Sequence, residues 1–431
     1  MKKFIVVVVA VAVSGHCFAQ DADRLIQQKD VERIIKTLSA DEMQGRATFT
    51  PGIEKAAKFI ENEFKTIGLK PLDGNSGFRQ SFSMVKSTPI STSVAINDVA
   101  VAADHIATFS ATPINWQGTG AEVARVTVDM DLQNDFRKFL GGDKARLVIV
   151  DPKFEPFFKR LSAFALRGNT AAKDAPVQPP VVFVLGSFDD VRSYKVNYDV
   201  KNAEMPLFNV AGILPGKSKA NEYVIFSGHY DHLGIIKPMD GDSIANGADD
   251  DATGTTAVIT LAKYFKRLDN NERTLIFVAF TAEEIGGYGS QYFSKHVSAD
   301  QTVAMFNIEM IGKASKFGEN SAFITGFERS DFGPILQKNL KGTVFKFYPD
   351  PYPQQQLFYR SDNATLARLG VPAHSISTDQ IDTDKLYHSV KDEFSSLDVA
   401  NIVATIKAIA LSSRTIVSGQ DTPTRVAKLE R

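Results

Sequence analysis

The chain has 431 residues, with 49 Lys and Arg against 50 Asp and Glu, for a formal net charge of -1. Its 43% hydrophobic and 23% charged residues are those of an ordinary globular protein, which excludes a disordered chain, a collagen-like repeat and a disulfide-stapled miniprotein. A balanced charge with no basic run leaves no electrostatic footprint for nucleic acid.

Lys2 and Lys3 precede an apolar run over 4–13, and Cys17-Phe18-Ala19 sets small residues just before a cut. The pattern predicts a signal peptide over 1–19, because spanning a bilayer takes about twenty apolar residues. It implies an exported protein, periplasmic or extracellular, with no membrane span. Cys17 also raises lipid attachment, but His16 stands where such a signal calls for Gly or Ala. Cys17 is the single cysteine, so cleavage before Gln20 leaves neither disulfides nor thiolate metal ligands.

Apolar residues at helical spacing predict helices over 30–38 and 51–67, the second opened by Pro51 and closed by Gly68. These fall in an N-terminal part, 20–86. From 87 to 200 the texture turns to short β-type runs at 94–96, 123–128, 147–150 and 181–185, which predicts a smaller β-rich insertion. From 201 to 431 strands alternate with helices: strands over 223–227, 275–280, 303–308 and 373–377, helices over 253–268, 289–296, 362–369 and 397–411. The expected class is therefore α/β, a mixed, mostly parallel sheet flanked by helices. In such sheets, sites lie at the carboxyl ends of strands.

The chemistry falls at those ends. His229-Tyr230-Asp231 follows the first of these strands, and a histidine there can offer one ring nitrogen to a metal while a nearby carboxylate holds the other. Three aspartates, Asp249, Asp250 and Asp251, stand before a small-residue helix start. One carboxylate suffices for a cap, whereas three repel one another unless a cation relieves them. Glu283 and Glu284 follow the next strand, Glu309 the one after, and His388 lies in Tyr387-His388-Ser389. Singly, each has a bland reading as a cap, an exposed acidic pair or a structural histidine. Together His229, Asp250, Glu284, Glu309 and His388 supply two imidazoles and three carboxylates, a ligand count suited to two zinc ions sharing one carboxylate. Glu283 is left for proton transfer, so a peptide or amide hydrolase follows. The same donors also accept cobalt or manganese.

These segments resemble a known family. Ser227-Gly228-His229-Tyr230-Asp231-His232, Gly247-Ala248-Asp249-Asp250-Asp251-Ala252-Thr253-Gly254, Ala282-Glu283-Glu284-Ile285-Gly286, Asn307-Ile308-Glu309-Met310-Ile311-Gly312 and Tyr387-His388-Ser389 are similar, in order and spacing, to the secreted co-catalytic dizinc aminopeptidases of the bacterial leucyl aminopeptidase type. The wider superfamily holds glutamate carboxypeptidases, glutaminyl cyclases and transferrin receptors. The resemblance covers 207–412, with a weaker echo in Leu38-Ser39-Ala40-Asp41-Glu42-Met43-Gln44-Gly45-Arg46.

It implies that His229, Asp250 and Glu309 hold one metal and Asp250, Glu284 and His388 the other. Glu283 would then be the general base and Asp231 the partner of His229, with a cis peptide between Asp250 and Asp251. His232 has no assigned role. Two departures stand out: many relatives have Asp at Glu309, and Ser361-Asp362-Asn363 stands where they often carry Ser-Asp-His. Region 87–200 lies where many relatives carry a protease-associated domain.

The function so implied is a secreted aminopeptidase acting on peptides with a free N-terminus. The alternatives are a carboxypeptidase or other amidohydrolase on the same scaffold, which Arg360 and Lys385 keep open, and a non-catalytic receptor-like binding domain. Phe327, Phe358 and Tyr359 are candidates for an apolar specificity pocket. No feature of the sequence sets the oligomeric state.

Overall fold

The computed structural model describes residues 21–429; the predicted signal peptide over 1–19, with Cys17, lies outside the described residues. Among these residues no helix is long and apolar enough to cross a membrane. The chain divides into two compact units, one made of the residues up to Phe82 together with Leu207 onward, the other of Ser83–Pro206.

In the larger unit the strands that read as unbroken apolar runs are those buried on both faces, as parallel strands covered by helices must be. Its principal strands, in chain order, are β1 (Tyr194–Leu214, of which 207 onward belongs here), β2 (Lys219–His229), β3 (Arg273–Phe280), β4 (Thr302–Ile308), β5 (Ser321–Ile324), β6 (Lys346–Pro349) and β7 (Ala373–Ser377); a short hairpin, Gly234–Met239 with Asp242–Ala245, lies apart from the main sheet. They lie in the order β6-β5-β7-β4-β2-β3-β1. The central four, β7-β4-β2-β3, are parallel; β1 and β5 run antiparallel to their inner neighbours.

Register places Phe226 of β2 opposite both Phe277 of β3 and Phe306 of β4. The rings stack at 5.5 Å and 4.9 Å, a ladder that pins the three strands on which the site is built.

Helices α1 (Gln28–Leu38), α2 (Pro51–Ile67), α3 (Gly254–Leu268), α4 (Tyr288–His296), α5 (Phe332–Asn339), α6 (Asn363–Arg368) and α7 (Val399–Ser412) complete this unit. Val31, Ile34, Ile35 and Leu38 of α1 and Ile53, Ala57, Ile60 and Phe64 of α2 form stripes at helical spacing, buried in the same core as α3 and α7. Gly68, at φ +82, ends α2 in the left-handed conformation. Helix α3 starts one residue after the expected 253, with the three aspartates before it. Residues Ala248–Thr253 form a wide turn with extended backbone at Asp250, and the Asp250–Asp251 peptide is cis. β5, β6 and α5 escaped the sequence reading because each is short, at 4, 4 and 8 residues.

In Ser83–Pro206 a four-stranded sheet runs in the order Ile106–Phe109, Val181–Leu185, Arg146–Val150, Glu122–Val126. The last three are mutually parallel. Parallel neighbours need a crossover, and helix Leu132–Leu140 supplies it between Glu122–Val126 and Arg146–Val150. A second helix, Glu155–Leu166, buries Phe158, Leu161, Ser162 and Ala165. Neither helix was expected from the sequence, whose β-type runs dominate the region, although Asp131 caps the first by accepting the Asn134 N–H.

Candidate metal centre

The predicted residues converge at the carboxyl ends of β2, β3 and β4. His229 is the last residue of β2, Glu283 and Glu284 follow β3 by three and four positions, and Glu309 follows β4 directly. Asp250 comes from the turn before α3, and His388 from the loop after β7, where it takes φ +57.

Asp250 sits between two donor groups. Its Oδ1 lies 3.2 Å from His229 Nε2, which lies 3.2 Å from Glu309 Oε1. Its Oδ2 lies 3.3 Å from His388 Nε2, which lies 3.1 Å from Glu284 Oε2. Ligand atoms about 2.0–2.1 Å from a tetrahedral ion stand about 3.3–3.4 Å apart, so each group has the spacing of a coordination edge. His229 and Asp250 are buried, while the His388 side chain keeps 37% of its surface exposed.

The donor set also fits a cation by its charge. Burial disfavours a proton on His388, yet Asp250 and Glu284 overcome it and push the imidazole up to about 10. Burial opposes His229 likewise, and Glu309 and Asp250 still raise it. Imidazoles forced to hold protons against burial report a strongly negative field, which a divalent ion would neutralise. Zinc suits these nitrogen and oxygen donors.

Backbone contacts aim the ligands. The Nδ1 of His229 lies 3.1 Å from the backbone carbonyl of Asp231, a contact in which the ring donates and Nε2 is left bare. The partnership that the resemblance implied thus runs through the Asp231 main chain, since its carboxylate is 3.9 Å from the ring. That carboxylate instead accepts the N–H groups of Glu283 and Glu284 at 3.1 and 3.3 Å, fixing the loop that carries both. Burial raises its pKa to about 7.

Of the three aspartates, Asp250 alone faces both donor groups. Asp249 accepts from the Gly312 N–H at 2.7 Å, and Asp251 accepts from the N–H groups of His229, Gly254 and Met310. Burial first, then the carboxylates of Glu309, Asp362 and Asp231, hold the Glu283 pKa well above the usual range.

The sequence reading left His232 without a role. The structure sets its Nδ1 2.6 Å from Glu284 Oε1 and 3.7 Å from Asp250 Oδ2, a second imidazole beside the His388 group. Its signal was only its place directly after Asp231. Among the described residues Asp249, Asp379 and Asp384 also converge, but Lys313 Nζ sits on them, 3.3 Å from Asp249 and 2.5 Å from Asp384.

A pocket opens beside the donors. Asp250, Glu283 and Glu309 line it with Met310, Phe323, Leu357, Ile381, Tyr387 and Arg360. The aromatic expectation needs correcting here: Phe358 and Tyr359 pack with the core around Leu366 and Val371, and Phe327 packs on the main core. Of the two basic candidates, Arg360 lines the pocket and Lys385 is exposed.

A mostly parallel sheet bearing imidazoles and carboxylates at its strand ends, with the half-buried Glu283 beside them, has the donors of a metal centre on an α/β frame. Residues 209–412 match the model of Peptidase family M28. The leucine aminopeptidase 1 of Ajellomyces capsulatus is 26% identical over 216 residues, 46% of this chain and 54% of that protein. The chain thus spans about half the length of the relatives it matches. Among solved structures, a peptidase M28 precursor from Shewanella amazonensis superposes with TM-score 0.55 at 15% identity, covering 97% of this chain and 99% of that one. A zinc aminopeptidase from Bacillus subtilis gives 0.54 at 14%, covering 94% and 99%. At such identities these two matches speak for the fold.

Proposed function

We propose that the protein is an exported dizinc aminopeptidase that hydrolyses the first peptide bond of peptides with a free N-terminus. The observation that carries this reading is Asp250, whose two oxygens serve two separate imidazole–carboxylate groups. His229, Asp250 and Glu309 would hold one zinc, and Asp250, Glu284 and His388 the second. When bound, two such ions lower the pKa of a water and polarise the scissile carbonyl.

The remaining chemistry belongs to the chain. Glu283 lines the same pocket and, with its proton affinity raised by burial, is the group to take the proton of the attacking water and return it to the leaving amine. The leucine aminopeptidases among its relatives support a substrate with a free α-amino group. Met310, Phe323, Leu357 and Ile381 give the pocket an apolar wall for the side chain of the released residue. Burial, then the surrounding carboxylates, keep the Tyr387 phenol protonated, so it remains a hydrogen-bond donor at the pocket. Export rests on the signal-like 1–19 segment.

A second reading, a carboxypeptidase on the same scaffold, draws on Arg360, which is among the residues lining the pocket and carries a group suited to a substrate carboxylate. One experiment decides. Zinc stoichiometry and turnover are measured on the mature chain and a Glu283→Gln variant, with aminoacyl anilides bearing free and blocked N-termini and with N-blocked dipeptides. Two zinc ions in both proteins, with cleavage of free-amine substrates by the native chain alone, support the aminopeptidase. Cleavage of only the N-blocked dipeptides moves the assignment to the second reading, and a chain that takes up no zinc refutes both.

A further inference from the structure

The largest fully buried side chain outside the donor set is Arg46, at 0% exposure and far from the site in sequence. A buried guanidinium is tolerated only when its donors are met. Here they are met entirely by backbone carbonyls, all but one of them on the two segments that carry the candidate ligands. Nε donates to Tyr230 O at 2.8 Å, the carbonyl between His229 and Asp231. Nη1 donates to Asn246 O at 2.5 Å and to Leu38 O at 2.7 Å. Nη2 donates to Gly247 O at 2.9 Å and to Asp250 O at 3.3 Å, the carbonyl of the shared ligand itself.

The brace runs both ways. The backbone carbonyl of Arg46 accepts the His232 N–H at 3.2 Å, and Asn246 Nδ2 donates to Ser39 O at 2.7 Å and to Asp41 Oδ1 at 2.9 Å. The approach is close enough to demand glycine at the preceding position. A Cβ on Gly45, at φ +63, would stand 2.4 Å from Ala245 O and 2.7 Å from Gly234 Cα.

We propose that Arg46 is a positioning residue for the metal pair: its guanidinium locks the His229–His232 segment to the Asn246–Asp250 turn, setting the distance between His229 and the shared carboxylate of Asp250. The two segments also run into the paired strands Gly234–Met239 and Asp242–Ala245, and Asp251 accepts the His229 N–H at 3.1 Å, so the clasp closes a frame already joined at two other points. Lysine cannot replace it, because one ammonium has three donors on a single point, whereas the fork reaches carbonyls on several sides. Groups that orient metal ligands from behind typically govern affinity by about 10–100-fold.

The inference rests on the zinc reading above, and the test separates the two. Zinc release to a chromophoric chelator is followed for the native chain, Arg46→Lys, Arg46→Gln and, as control, Arg273→Gln. Arg273 is also buried and donates to the carbonyls of Ile416 and Asp421 at 2.7 and 2.8 Å, but from the end of β3 opposite to the site. Both Arg46 variants are expected to release zinc at least tenfold faster, while the control loses thermal stability without a change in release. Release within twofold of native by folded Arg46→Gln overturns the proposal; a native chain that holds no zinc overturns instead the reading beneath it. Should the Arg46 variants not fold, reciprocity gives a test on the native chain. Zinc must then slow amide hydrogen exchange at 38–46 and at His232, and exchange there that is indifferent to zinc overturns the clasp.

Discussion

The carboxylate of Asp251 accepts the backbone N–H of Met310 at 3.1 Å, tying the turn that bears Asp250 to the residue that follows Glu309. The same side chain takes the N–H of His229 at 3.1 Å and of Gly254 at 3.0 Å. One buried carboxylate thus gathers the segments of three candidate ligands without facing either donor group. Asp251→Ala would strand three buried donors, each worth about 1–3 kcal/mol. The variant is expected to lose several degrees of apparent melting temperature and to bind zinc more weakly. A variant with native melting and native zinc content would show that the tie is dispensable.

His374 on β7 predicts a pH dependence that belongs to the fold. Burial lowers its pKa to about 4; its Nδ1 lies 2.8 Å from Thr325 O and its Nε2 2.8 Å from Ser330 Oγ. The ring donates at Nδ1, so Nε2 accepts from the serine and a second proton would displace that contact. The unfolded chain takes a proton near the ordinary value of about 6.5 and the folded chain only near 4, so stability falls as pH drops through that window, by about 3 kcal/mol. Urea midpoints of native and His374→Gln chains, both with zinc chelated, should diverge in slope between those pH values. Parallel slopes would remove His374 as the cause.

Ser361 donates to Glu309 Oε2 at 2.5 Å, leaving Oε1 for the His229 side of the centre. Asn307 Nδ2 donates to Ser361 Oγ at 2.8 Å and to Ser375 Oγ at 3.0 Å, so the serine is itself held. Ser361→Ala is expected to weaken zinc affinity by about tenfold with little change in melting. The check is a zinc titration against a competing chelator, and an unchanged affinity would count against Glu309 as a ligand.

The two imidazoles beside Glu284 can be told apart. His388 Nε2 lies near the Glu284 oxygen Oε2, whereas His232 Nδ1 lies against the other oxygen, Oε1. On the proposed two-zinc centre, His388→Ala is expected to lose one ion, and His232→Ala to keep both but hold the second more loosely. Metal analysis after gel filtration reads this directly. Loss of an ion in His232→Ala alone would exchange the two roles.

The sequence by itself determined that candidate ligands gather at strand ends. Apolar runs such as 275–280 must be buried on both faces, and a parallel sheet turns the carboxyl ends of all its central strands to one side. His229, Glu283, Glu284 and Glu309 were legible because each lies within four residues of the end of such a run, and Asp250 and His388 through the motifs around them.

Only the tertiary structure decided what each of Asp249, Asp250 and Asp251 does, because neighbouring residues on a non-helical turn point in unrelated directions. It alone showed that Asp231 meets His229 through its carbonyl, that His232 reaches Glu284, and that Arg46 clasps both ligand segments. Hydrogen bonds to backbone carbonyls leave no mark on the sequence of the residues that accept them. Arg46, 184 residues before its partner Tyr230, is marked in the chain only by the weaker resemblance over 38–46, which says nothing of its burial or its partners.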